Sequence, residues 1–433
     1  MSVVDIAVLG RYGARELAGS GLANALFFAV SILGLGVVMG VDPMISQALG
    51  AGDRVGARRM LWQGVWLAMI VTGVLTIPMI LGPMLLPVVG VQKELIEPAT
   101  DYLLVRATGL APFLLFIVVR SYLQAYHATR PLLVSMIVCN VFNLIADIVL
   151  VFGGDVLPLW TGPLRRIPSF GVSGAAIATV AGSLIQLWIV AAAVRGIPVD
   201  VPDVAKLHRW NGPEVRRAFI VGWPLGLQMG AEVGVFALVG LLAGRLGTMD
   251  LAAHQLVISI ASFTFTIALG VAAAGSVRVG IGVGAGDTLA ARRAGHAAFI
   301  GGLVVMGVAA LVFVLLPTQL SRIITDNPQV IAIAVPLFMV AAVFQLSDGA
   351  QAVGAGVLRG AGDTKYALIA NLIGHWAVGF PIAIYLGFQR KMGIVGLWWG
   401  LCAGLTAVAI LLLIRFERLS SKPIARIADS LPH

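Results

Sequence analysis

Asn143 and Asp147 stand four residues apart in a stretch, 132–153, that is otherwise almost entirely apolar. On a helix this spacing puts both side chains on one face, so an amide oxygen and a carboxylate converge. Such a pair suits a hard cation such as Na⁺, and the carboxylate alone could carry a proton. Two more acids lie inside long apolar stretches, Glu232 shortly after Gly222-Trp-Pro224 and Asp348 near the middle of 329–358. An ionisable group held in hydrocarbon is costly, so each of these needs a partner, water or a task. Asp42, beside Pro43, is expected at a helix kink or facing a cavity. Arg106 is a weaker candidate, and Arg120 and Arg278 are expected to carry their heads toward an interface. His254 and His375 have side chains that titrate near neutral pH, but each stands alone and is read as a packing residue.

Other chemistries lack their residues. Cys139 and Cys402 both sit in apolar runs, with neither a disulfide framework nor metal-ligand spacing. The sequence contains no His-Glu-x-x-His, no Gly-x-Ser-x-Gly and no Asp-rich metal motif. Gly-Ala-Gly-Asp at 50–53 and 284–287 is not followed by Gly-Lys-Ser/Thr, so these segments read as turns at helix ends rather than phosphate loops. The expectation is a protein that is not an enzyme, holds no cofactor and uses no ATP.

The elements that must position these residues follow from composition. Of 433 residues, 59% are hydrophobic and 11% charged, with a mean hydropathy of +0.98. A soluble domain carries roughly 25% charged residues, so most of this surface must face lipid. Apolar runs separated by Gly, Pro and charge predict helical spans at 17–49, 60–88, 99–126, 132–153, 172–194, 217–243, 251–284, 296–316, 329–358, 366–387 and 394–414. Spans longer than 30 residues must tilt, kink or protrude. Only a short apolar run precedes Gly10-Arg11-Tyr12-Gly13, against about 20 residues needed to cross a bilayer. The expectation is a truncated first helix, the chain beginning inside a longer native protein, with no cleavable signal peptide. That makes twelve spans.

The net charge of +9 points to topology rather than to nucleic acid, because the basic residues fall in the gaps. They crowd one set of gaps, among them Arg54, Arg58, Arg59, Arg130, Arg195, Arg216, Arg217, Arg292 and Arg293, and the tail after 414. The opposite set is poorer, with Arg11, Lys93, Arg165, Arg245, Arg322 and Lys391. The richer side is expected to be cytoplasmic, and with it the C-terminus. The tryptophans, including Trp62, Trp66, Trp223, Trp376, Trp398 and Trp399, are expected mainly as interfacial anchors.

The chain also repeats itself. Shifted by 234 positions, residues 10–59 align on 244–293 without a gap, sixteen of the fifty being identical. Gly50-Ala-Gly-Asp53 meets Gly284-Ala-Gly-Asp287, and Arg58-Arg59 meets Arg292-Arg293. Each half then holds six helices, and an even number makes them parallel repeats. The expected architecture is an all-α membrane protein of two pseudo-symmetric six-helix bundles. Its parts are a first lobe at 1–195, a cytoplasmic linker at 196–216, a second lobe at 217–416 and a cytoplasmic tail at 417–433. Transporters of this kind bind substrate in a cleft between halves near the midplane.

The stretch from Val4 to Asp53, with its Asp5, Gly10-Arg11, Leu17-Ala18 and Gly50-Ala-Gly-Asp53, resembles the multidrug and toxic compound extrusion (MATE) family. The likeness continues through Asn143-Leu-Ile-Ala-Asp147, Gly171-Val-Ser-Gly-Ala-Ala-Ile-Ala-Thr179, Glu232, Asp348 and Leu358-Arg-Gly-Ala-Gly-Asp-Thr364, covering essentially the whole chain. The resemblance implies an antiporter that exports organic cations and drugs against inward Na⁺ or H⁺ by alternating access of two lobes, as a monomer in a bacterial inner membrane. It implies a first-lobe ion site of Asp5, Asn143, Asp147 and Thr179. It also implies a second-lobe cation or substrate site at Glu232 and Asp348, as in the NorM-like branch. Phe344 stands where a tyrosine is expected in that branch and supplies no hydroxyl, although its face could attract a cation. The alternatives are a lipid-linked saccharide flippase, which a basic cleft would favour, and a membrane-embedded enzyme; the acidic candidates here favour a cationic cargo or coupling ion.

Overall fold

The computed structural model describes residues 2–88, 90–156, 159–199 and 207–430, and it is helical nearly throughout. Pro202 and Lys206 of the expected linker lie outside the described residues. The helices are α1 (Ser2–Tyr12), α2 (Ala14–Val38), α3 (Val41–Gly50), α4 (Arg54–Leu85), α5 (Lys93–Ala107), α6 (Leu110–Ala125), α7 (Arg130–Phe152) and α8 (Gly171–Arg195). They continue as α9 (Gly212–Leu246), α10 (Thr248–Gly284), α11 (Thr288–Leu315), α12 (Pro317–Ile324), α13 (Pro328–Ala361), α14 (Thr364–Gln389), α15 (Gly393–Ser420) and α16 (Ile427–Ser430). Among the described residues ten segments are each long and apolar enough to cross a membrane, and α5 with α6, bent by 42°, makes an eleventh if the pair is one span. Every expected span is present, with ends that differ by up to eight residues (α11 begins at Thr288 rather than 296), and the span expected at 17–49 is divided into α2 and α3. The 11-residue α1 is the short first helix.

The longest helix, α10, has 37 residues. At 1.5 Å per residue it runs about 55 Å, well beyond a hydrocarbon core of about 30 Å. Pro78 and Pro83 lie inside α4, Pro224 inside α9 and Pro336 inside α13, each removing a backbone donor from its helix.

The chain divides into two compact units, Met1–Val41 with Arg58–Phe219, and Asp42–Ala57 with Ile220–His433. In the first unit α8 packs against α5, α6 and α7, while α1 lies on α2 and α7. In the second, α10 and α13 form the most extensive pairing and α15 lies along α13. The α10–α13 pairing rests on Gly356 and Gly360, one turn apart, because a Cβ on either would run into the carbonyl oxygen of Ala272 or Ser276. Small residues at this spacing let two helix backbones touch.

The α3 segment, from the first half of the sequence, is built into the second unit, and its contacts with α10 follow the repeat. A Cβ on Gly50 would collide with Ile281 O, and one on Gly284 would collide with Gln47 O. Each pair is the other shifted by 234. Gln47 also donates from Nε2 to Gly360 O at 3.1 Å and accepts from the Ile427 amide at Oε1 at 2.9 Å. The two Gly-Ala-Gly-Asp segments are turns of one design: Gly52 and Gly286 have φ of 78° and 71°, and Asp53 and Asp287 accept from the amides of Gly56 and Ala290 at 2.7 and 2.8 Å.

These contacts separate two kinds of glycine. Gly284→Ala must move a backbone and is expected to lower stability by about 2 kcal/mol or more. Gly286→Ala meets open space and should cost only about 1 kcal/mol of left-handed strain. Thermal unfolding in detergent should therefore show the larger fall for Gly284→Ala; equal falls would contradict the packing described.

Candidate functional site

In the first unit four helices deliver five polar side chains to one buried place: Asp5 from α1, Tyr102 from α5, Asn143 and Asp147 from α7, and Thr179 from α8. The Thr179 hydroxyl lies 2.9 Å from Asp5 Oδ2 and 3.2 Å from Oδ1. Tyr102 donates to Asp5 Oδ2 at 3.0 Å. Asn143 Nδ2 lies 3.2 Å from Thr179 Oγ1 and 3.4 Å from Asp147 Oδ1. A continuous chain thus joins the two carboxylates through Thr179 and Asn143. All four first-lobe residues singled out in the sequence are brought together.

The cluster is not closed on itself. Asn143 Oδ1 and Asp147 Oδ2 are buried with no hydrogen-bond partner, and a buried polar atom in that condition is unfavourable by about 1–3 kcal/mol. Both are acceptors. Carboxylate, amide and hydroxyl oxygens together fit a hard cation, and the carboxylates equally fit a proton. Nearby, Arg106 lies one turn after Tyr102 with its guanidinium 4.2 Å from the centre of the Phe27 ring.

In the second unit Asn371 Nδ2 donates to Glu232 Oε2 at 3.2 Å, joining α14 to α9. Asp348, on α13, is buried. Phe344, one turn before it, packs edge-on to Phe236 with ring centres 6.0 Å apart and lies 5.3 Å from Trp398. Trp398, grouped with the interfacial tryptophans on sequence grounds, is instead fully buried, and its indole N–H donates to His254 Nδ1 at 3.2 Å. His254 is therefore a satisfied packing residue. Asp42 pairs with Arg359 at 3.6 Å, and Arg359 Nε also lies 3.3 Å from Ser276 Oγ; this pair belongs to the α3–α10–α13 junction, apart from the Glu232–Asn371 bond.

Tyr102 and Asn371 were not evident from sequence. Tyr102 follows Lys93, Glu94, Glu97 and Asp101, where a charged helix start masks it. The only signal for Asn371 is its place in an apolar run ending at Gln389, and a neutral amide there carries no periodicity.

The MatE family model matches residues 1–149 and 224–385. The chain is 33% identical over 445 residues to the probable multidrug resistance protein NorM of Rhizobium meliloti (strain 1021), covering 99% of this chain and 91% of that protein. It is 35% identical over 424 residues to the protein of the same name from Deinococcus radiodurans, covering 96% and 90%. Its fold is similar to that of the eukaryotic MATE transporter AtDTX14, with a TM-score of 0.81, 20% identity and coverage of 98% and 94%. A MOP superfamily transporter from Pyrococcus furiosus gives a TM-score of 0.85 at 19% identity, covering 97% and 91%.

Tyr102→Phe removes one of the two hydroxyls on Asp5 while keeping the ring. It is expected to destabilise the protein by about 1–2 kcal/mol, seen as a lower midpoint of thermal unfolding; an unchanged midpoint would mean that Thr179 alone satisfies Asp5.

Proposed function

The chain belongs to the MATE family of membrane transporters, and from that premise we propose that it is an antiporter that exports organic cations, drugs among them, in exchange for inward Na⁺ or H⁺. The observation that carries this reading is the pair of orphaned acceptors, Asn143 Oδ1 and Asp147 Oδ2, inside the buried Asp5–Thr179–Asn143–Asp147 chain. Two ionised carboxylates in such a place repel each other and lack compensation. A cation or a proton entering the cluster removes that penalty and draws α1, α7 and α8 together around it. Its release restores negative charge inside the bundle. Coupling of this kind needs no cofactor and no covalent step.

The cargo class rests on two supports. The relatives named above are multidrug resistance proteins, and the groups held in the second unit are acids, Glu232 and Asp348. Glu232 and Asp348 bind the positive cargo or a second ion. Exchange proceeds by alternating access of the two lobes of a monomer, with the arginine-rich gaps and the C-terminal tail on the cytoplasmic side of the cell membrane.

The test uses purified protein in liposomes loaded with ethidium, with an inward Na⁺ or H⁺ gradient imposed in turn. One gradient is expected to drive dye release, and Asp147→Asn, although folded, should abolish it. Release that persists in Asp147→Asn would remove the ion site from the cluster. No release under either gradient would redirect attention to a lipid-linked cargo.

A further inference from the structure

The Glu232–Asn371 bond is the first of two rungs between α9 and α14. Phe236 lies one turn after Glu232 and His375 one turn after Asn371, and the Phe236 and His375 rings form the second rung, with centres 6.2 Å apart. His375 is 1% exposed, yet both of its ring nitrogens lack a hydrogen-bond partner. It stands in a π-helical stretch, Leu372–Gly379, a local widening of the helix found often at functional sites. Gly404 of α15 lets this stretch approach closely, since a Cβ there would stand 3.0 Å from Gly374 O. Two more buried atoms lie idle, Asn371 Oδ1 on α14 and Gln351 Oε1 on the neighbouring α13. The orientation of Asn371 is fixed, because its NH₂ must face the Glu232 carboxylate and its oxygen is then left over.

The idle groups share one character. Asn371 Oδ1 and Gln351 Oε1 are acceptors, Glu232 is an acid, and a neutral imidazole always has one acceptor nitrogen. Glu232 is only partly buried, so its carboxylate is the open end of the group. A bare Na⁺ ion is satisfied by oxygens and has no use for the imidazole. A cation that carries several N–H donors uses all of them.

We propose that His375 is a specificity-determining residue of the second unit's acidic site, and that the site takes a cation bearing N–H donors, a primary ammonium or a guanidinium, in preference to a quaternary ammonium. This rests on the cation export proposed above. An apolar pocket does the reverse, because a primary ammonium loses more hydration on entry and gains nothing in return. The order of preference is therefore diagnostic.

The experiment is calorimetric titration of the purified full chain with benzylammonium, benzyldimethylammonium and benzyltrimethylammonium, which share a ring and a charge but offer three, one and no N–H groups. Affinity is expected to fall along the series by about tenfold overall, the scale of one charge-assisted hydrogen bond. His375→Phe keeps the ring and should collapse the ratio between the first and last ligands about tenfold, whereas His375→Gln, which keeps an acceptor, should retain most of it. Equal or inverted affinities in the wild-type protein overturn the proposal without any variant, as does an unchanged ratio in His375→Phe. Ion-driven ethidium release together with equal affinities sinks this inference and leaves the transport reading standing. The expected preference without any ion-driven release does the opposite.

Discussion

Between helices in hydrocarbon there is little to gain from burying apolar side chains, since lipid is as apolar as leucine. Association must come from backbones that touch and polar groups that meet, and the first of these sets up the second. Gly174 of α8 lies so close to α7 that a Cβ would strike the Leu150 carbonyl. That approach brings Thr179, one and a half turns further along α8, within 3.2 Å of Asn143. With a larger residue at 174 the helices would stand apart and the polar chain would open. In the second unit Gly374, Gly379 and Gly404 seat α14 against α15 in the same way, holding the π-helical stretch and its histidine in place.

The two units use related architecture for different interior chemistry. In the first, neutral hydroxyl and amide groups join two acids into one network. In the second, the acids sit beside an aromatic cluster of Phe236, Phe344 and Trp398, and the amide of Asn371 donates to Glu232. Phe344 contributes packing on both sides where a hydroxyl would have added a donor. A duplicated frame has thus been filled with two sets of partners.

Much of this was legible in the sequence, for physical reasons that also mark the limits. An apolar run of about 20 residues is a strong signal, so every span appeared at its place. Asn143 and Asp147 declared themselves by spacing, and Asp5 and Thr179 by family likeness. Trp398 was misplaced because hydropathy does not distinguish a side chain that faces lipid from one buried between helices; both environments are apolar. Gln351 and Asn371 stayed hidden, and His375 reads from sequence as packing alone, because a single neutral polar group in an apolar helix acquires meaning only from the helix opposite. The position of α3 in the second unit was equally invisible, since its partners lie more than 200 residues away.

That last feature bears on how the protein is made. Residues 42–57 leave the ribosome well before the groups that complete them, Ile281, Gly284, Gly360 and the Ile427 amide. For most of translation Gln47 has neither of its backbone partners, and Gly50 faces no neighbouring helix. The second unit cannot be finished by its own half of the sequence, nor the first half's α3 settled without it. The early segment is thus held by groups synthesised more than 230 positions after the residues they touch, the Ile427 amide being the most distant of them.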